Sequence, residues 1–426
     1  MKPILFVAYH FPPQGGAGVQ RTLKFVENLP NFGIQPIVIT TNATSESRWT
    51  PKDKTLNREI PSNIHVYRLA WHAAHNDDHD FISQIVRIGE KHKAEALIST
   101  HSPYPDTSPS GKAAESLGVP WIVDLRDPWA LDEFQSYRTA YHRWKDIQKM
   151  KQCLQHADRI IMNTVEAAKA VHNQFGLVFE KKTSVIPNGY DQNDFLKAKA
   201  TDKDDDRFKA ENLNIVHTGA FHTALGMRSR RTRILNMVLG RTRSDVNHLA
   251  RSAYYLLRAF DAFQNRHPDR AKCFNFVFAG KMTSGDNDCI KRSKAQNNIT
   301  TTGYLNHIKS ISYLLSADVL FLPMHGLSQR RRATIVPSKA YEYMASGRPI
   351  LAAVPDGDAK DILTSYDNCY FCNPTSTKDY ITALTKIHED WKENRIATQN
   401  WTSDEGNFYE RKNLTKLLAS TIHDLT

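Results

Sequence analysis

The stretch Ile335-Val-Pro-Ser-Lys-Ala-Tyr-Glu-Tyr-Met-Ala-Ser-Gly-Arg-Pro-Ile-Leu351 combines residue types that suit anion chemistry. Pro337 and Ser338 are good opening residues for a helix, and Gly347 followed by Pro349 ends it. The free N–H groups at such a helix start favour phosphate. Glu342, one turn further, can accept hydrogen bonds from ribose hydroxyls. An ordinary helix–strand unit with a solvated Glu342 accounts for the same residues. A second anion-friendly feature is the run Gly15, Gly16, Ala17, Gly18, which follows an apolar strand at 4–8. Glycines there let backbone approach a ligand closely. A third group is His101, Asp124, Arg126 and Asp127, all at the ends of apolar runs. In an open parallel sheet such residues point into the ligand crevice. For Asp127 a turn role beside Pro128 is an equal alternative.

These residues need elements to position them. Short apolar runs at 4–8, 37–40, 65–69, 96–100, 120–125 and 157–163 alternate with helical patterns. A second series starts at 213–219 and continues through 274–280, 299–304, 317–323 and 349–354. The pattern predicts an α/β chain of two doubly wound domains. Its 426 residues exceed one average core. The expected domains are 1–195 and 196–400, with a charged linker at 197–209. A last helix, 408–425, is expected to pack back on the first domain.

Composition narrows the function classes. Hydrophobic residues make up 40% and charged ones 24%, which suits a folded globular chain rather than a disordered one. No apolar run reaches the length of a membrane span, and the N-terminal run is too short for a secretory signal. A cytoplasmic protein is expected. Five cysteines, an odd number, argue against a disulfide framework. Cys369 and Cys372 form one C-x-x-C without a second pair at zinc spacing, so no metal site is expected. Asn42 stands where a dinucleotide site would have an acid after its second strand. The histidines of 72–80 fit a solvated loop better than a metal site.

A net charge of +11 favours anionic partners. Nucleic acid is not expected, because no zinc-finger or RNP signature is present. An Arg-rich insertion, 223–250, holds Arg228, Arg230, Arg231, Arg233, Arg241 and Arg243 around an apolar centre. It reads either as a contact with an anionic membrane surface or an acidic acceptor, or as an exposed insertion whose apolar residues pack locally.

Taken in order, these motifs resemble the retaining family-four glycosyltransferases of the GT-B fold, in the subset with Pro-Ser-Lys-x-Tyr-Glu-Tyr-Met-Ala-x-Gly-Arg-Pro. Pro-Pro-Gln-Gly-Gly with Arg21, Asp-Leu-Arg-Asp-Pro-Trp, Ile-Pro-Asn-Gly-Tyr-Asp, His-Thr-Gly-Ala-Phe and Arg251-Ser carry the likeness beside that stretch. The resemblance implies two Rossmann-like domains facing across a cleft. It implies a nucleotide-sugar donor, a glycan or lipid-linked acceptor, retention of configuration, and neither metal nor cofactor. A role in bacterial surface polysaccharide synthesis, at the inner face of the membrane, follows in the same way.

By the same resemblance Glu342 holds the donor ribose, and backbone at Pro337, Ser338 and Lys339 meets the diphosphate. Gly219 lies near donor phosphate or sugar, Tyr304 and Leu305 near the base, and Gly15 and Gly16 in a loop that closes over the diphosphate. Asp127 faces the reaction centre, with His101 as second candidate. Two departures stand out. Thr334 occupies the place of a glutamate that often reads the sugar. The usual Arg and Lys pair for the diphosphate is not plain; Arg251 is the first candidate, with Arg228, Arg230 or Lys281 as substitutes. A sugar-nucleotide 2-epimerase and a non-catalytic scaffold of the same fold are the competing readings.

Overall fold

The computed structural model describes residues 1–42, 52–70, 79–101, 104, 107–200, 206–208, 211–231, 246–327, 331–403 and 405–426. Most of the histidine-rich segment, and the centre of the Arg-rich insertion at 232–245, lie outside the described residues. The chain forms two compact units, Met1–Gly189 with Phe408–Thr426, and Tyr190–Asn407.

The first unit holds a seven-stranded sheet in the order β3-β2-β1-β4-β5-β6-β7. Its strands are β1 (Lys2–Ala8), β2 (Ile34–Thr41), β3 (His65–Leu69), β4 (Ala96–His101), β5 (Trp121–Leu125), β6 (Arg159–Met162) and β7 (Thr183–Val185). Every pairing is parallel. β1 and β4 are buried almost throughout, because helices cover both faces of a parallel sheet. The order reverses between β1 and β4, so the crevice at their carboxyl ends is the place where such folds take ligands. The helix Arg411–His423 packs on the helix Ala17–Asn28. Leu414, Leu418 and Ile422 share a core there with Val19, Leu23 and Val26.

The second unit repeats the plan with six strands in the order β10-β9-β8-β11-β12-β13. They are β8 (Leu213–Thr218), β9 (Phe274–Ala279), β10 (Ile299–Gly303), β11 (Val319–Pro323), β12 (Ile350–Ala353) and β13 (Cys369–Cys372). All are parallel, and the reversal falls between β8 and β11. Phe260, Phe263, Phe274, Phe276 and Phe278 fill one side of this sheet. Each unit is thus a doubly wound, Rossmann-like α/β layer structure.

One boundary differs from the linker expected at 197–209. The helix Gln192–Lys199 is part of the second unit and packs on the helix His307–Ser316. Phe195 is buried on it, and Asp194 accepts from His307 Nε2 at 3.1 Å. That helix takes in 197–199 of the expected linker, while 201–205 and 209–210 lie outside the described residues.

Candidate donor site

The carboxyl end of β8 is the centre of the second unit's crevice. Gly219 follows Thr218 with φ 107, a conformation that favours glycine. A Cβ at 219 would lie 2.7 Å from Lys339 Nζ. Backbone and ammonium therefore share one small space.

Lys339 reaches that space from the helix Ser338–Ala345. Its Nζ donates to Thr218 O at 2.6 Å and lies 3.5 Å from His217 Nε2. The helix is held in place by Tyr343, whose hydroxyl accepts from Thr218 N at 3.0 Å. Burial brings the Lys339 ammonium down to about 7; the charge of Arg251 adds to this and Glu342 opposes it. Arg251 and Lys339 are thus electrostatic neighbours, although sequence spacing gave no sign of a pair.

His217 is buried and stacks on Phe221, with ring centroids 4.3 Å apart. Its Nδ1 lies 2.9 Å from Phe321 O. A carbonyl only accepts, so Nδ1 carries the proton and Nε2 turns a lone pair towards Lys339. Burial, then Lys339 and Arg251, hold this imidazole well below its ordinary range. It stays neutral beside the two cations. Arg251 sits on a loop pinned by His222 N donating to Arg251 O at 2.9 Å. On the same loop burial, His325 and Arg251 lower His248 to about 4.

The other expected donor residues fall on neighbouring loops of this unit. Lys281 is exposed and directly follows β9 and Gly280. Tyr304 is 48% exposed and Leu305 half-buried, just beyond β10. Gly280 pairs with Gly303, which ties these two loops together. Pro337 is the buried cap residue of the Ser338–Ala345 helix, and Ser338 is half-buried. No side chain caps that helix, so its first N–H groups lack a side-chain acceptor from the cap position. Glu342 is partly exposed, and its Oε1 lies 3.9 Å from His307 Nε2. Thr334 is half-buried on the loop that leads to this helix. The structure brings Gly219, Arg251, Lys339 and Glu342 together and sets Lys281, Tyr304 and Leu305 along the same strand-end edge.

In the first unit Gly15 is buried, and Gly16, with φ 98, caps the Ala17–Asn28 helix. Arg126 braces this loop, donating to Gly18 O at 2.7 Å and to His101 O at 3.2 Å. Asp127 is half-buried just past β5, and its carbonyl accepts from Tyr104 OH at 3.3 Å. Tyr104 stacks on Trp129 at 5.2 Å. His101 is fully buried, and its Nε2 lies 2.8 Å from Ser99 Oγ, which also accepts from Trp121 Nε1. Asp124 is closed off by a bidentate pair with Arg21, at 2.8 and 3.1 Å, and by Thr100.

Two residues of the site were not picked out from sequence in these roles: His217, and the side chain of Lys339 as distinct from its backbone. The signal for His217 was a lone imidazole in an otherwise apolar strand run. Nothing in spacing told which way Lys339 would point.

The family profile for Glycosyltransferase Family 4 matches residues 15–194, and that for Glycosyl transferases group 1 matches 241–390. Both profiles describe glycosyltransferase domains, and each matches less than half of the chain. No curated protein matches it in sequence. Among solved structures it is similar to a glycosyltransferase from Rickettsia africae, at 12% identity and TM-score 0.60, covering 100% of this chain and 94% of that one. It is also similar to the Anabaena protein HepE, solved with UDP and glucose, at 14% and 0.64, with both chains fully covered. A third is the UDP-GlcNAc 2-epimerase of Neisseria meningitidis bound to UDP-GlcNAc, at 12% and 0.56, covering 99% and 100%. These likenesses establish the fold, which transferases and epimerases share.

Proposed function

We propose that the chain is a retaining glycosyltransferase that moves a sugar from a nucleotide-sugar donor to a glycan or lipid-linked acceptor. The observation that carries this reading is the pair Lys339 and Arg251 beside Gly219, with Glu342 one turn along the same helix. Two cations around a glycine backbone fit a diphosphate. A carboxylate at Glu342 fits ribose hydroxyls.

In the reaction the bond between the anomeric carbon and the phosphate oxygen breaks, and the acceptor oxygen bonds that carbon from the same face. The acceptor's proton passes to the departing phosphate oxygen. Negative charge grows on the diphosphate as the bond breaks. Lys339, Arg251 and the amides of Ser338 and Lys339 supply the compensating positive field. That field takes the place of a divalent metal. Asp127 orients the acceptor on the first unit; of the two candidates it is the accessible one, since His101 is fully buried against Ser99. The family profiles and the cation pair support this reading; retention rests on the family resemblance described above.

The deciding experiment is a melting-temperature screen of the parent and of Lys339→Ala across nucleoside diphosphates and sugar nucleotides, with chelator present. A ligand of the native state raises the melting temperature. The expected result is a shift with one diphosphate series that Lys339→Ala removes. A parent protein that no nucleotide stabilises would sink the reading. Incubation of the sugar nucleotide without acceptor separates the competing activity, since epimer formation would replace the transferase with a 2-epimerase.

A further inference from the structure

The helix Ala140–His156 of the first unit carries a surface that the chemistry above does not use. Its later turns bury Ile147, Met150 and Leu154 in the core that holds Val123, Leu125 and Ile160. Residues 138–145, at its start, are all exposed. Tyr141 is 64% and Trp144 56% exposed, and their rings stack with centroids 5.9 Å apart. Arg138, Arg143 and Lys145 flank them, and residues 138–145 contain no acid. Asp146, the next residue, turns inward and accepts from Trp129 Nε1 at 3.2 Å and Tyr137 OH at 2.6 Å. Those two bonds tie the helix start to the segment that follows β5 and Asp127.

We infer that residues 138–145 dock on an anionic lipid surface, through the Tyr141–Trp144 pair and the cations Arg138, Arg143 and Lys145. An exposed aromatic pair gains by leaving water. Trp and Tyr rings are enriched where headgroups meet acyl chains, and Arg and Lys beside them gain from anionic headgroups. The two rings stack on each other, which leaves no slot between them for a base and favours lipid over nucleic acid. This places a lipid contact on the first unit. The inference stands independently of the donor site, because vesicle binding is measured without any nucleotide.

The test is sedimentation of the full chain with equimolar phosphatidylglycerol and phosphatidylcholine vesicles, against phosphatidylcholine alone. The parent should sediment with the anionic vesicles and less with the neutral ones, and salt should weaken binding. Tyr141→Ser with Trp144→Ser, and Arg138→Gln with Arg143→Gln and Lys145→Gln, should each weaken binding by roughly ten-fold or more. All five side chains are exposed, so both variants should keep the parent's melting temperature. A blue shift of tryptophan emission on vesicle addition, reduced in Trp144→Phe, is the second readout and does not depend on those variants folding. No sedimentation of the parent, equal sedimentation of folded variants, or release from vesicles by single-stranded nucleic acid would overturn the inference.

Discussion

The two units use the same plan at their strand ends and treat positive charge in opposite ways. In the first, Arg21 is held by both oxygens of Asp124 and by the carbonyls of Ile186 and Pro187. Arg126 is spent on the carbonyls of Gly18 and His101. Charge there is closed on itself and fixes the Gly-rich loop. In the second unit Lys339 meets another cation, Arg251, a neutral imidazole, His217, and one carboxylate, Glu342, which opposes the shift. Burial first, and then the like charge of Arg251, depress its proton affinity. A buried cation satisfied by a carboxylate stabilises a fold. A cation held beside another cation is poised for an incoming anion. The contrast separates a framework role from the binding role proposed for Lys339, although both sets of residues lie near the strand ends of a parallel sheet.

The largest effect expected is on the framework side. Asp124→Ala leaves the Arg21 guanidinium buried without its carboxylate and should cost about 3–5 kcal/mol of stability. Denaturant melts measure this. If Asp124→Ala instead left stability intact and removed nucleotide binding, the contrast between the units would be reversed. Lys339→Ala should lower kcat/KM for transfer by roughly 10²–10³, the range seen when one donor to a developing anion is removed. Stability should be unchanged or improved. Glu342→Gln should weaken nucleoside diphosphate binding by roughly ten-fold, about 1.4 kcal/mol. The loss should shrink with a 2′,3′-dideoxy ligand, which calorimetry can show.

The smallest effect is a pH dependence. With the free-protein Lys339 at about 7, diphosphate affinity should be full below that pH. It should fall as pH rises through it, at most roughly ten-fold per unit for a single proton. Stability should change in the other direction. The ammonium is depressed in the folded state, so the unfolded chain holds more protons between about 7 and its ordinary 10.5. Stability therefore rises with pH across that window. Lys339→Arg should flatten both profiles. An affinity that stays level to pH 9 would show that another group carries the diphosphate.

Much of this architecture was legible in advance, for a physical reason. Parallel strands covered on both faces must be apolar along their length, and β1, β8, β9 and β11 show such runs in the sequence. Glycine ahead of a helix marks a close backbone approach, which is why Gly16 could be singled out; Gly219 came from the family resemblance. Side-chain direction was harder to read. His101 and Asp127 look alike as strand-end polar residues. Folding buries the first completely against Ser99 and leaves the second half-buried.

From sequence alone came two α/β halves, a Gly-rich loop in the first, and a helix from Ser338 with Glu342 on it, because local periodicity and glycine placement encode those. Tertiary structure alone decided that Lys339 turns its ammonium to the carbonyl of Thr218, 121 residues away. It also decided that Arg251 stands beside Lys339, that His217 stays neutral between β11 and that lysine, and that Tyr141 and Trp144 face solvent. Each of these depends on which strands become neighbours when the sheet closes, and on what that leaves uncovered. Spacing along a chain does not carry that information.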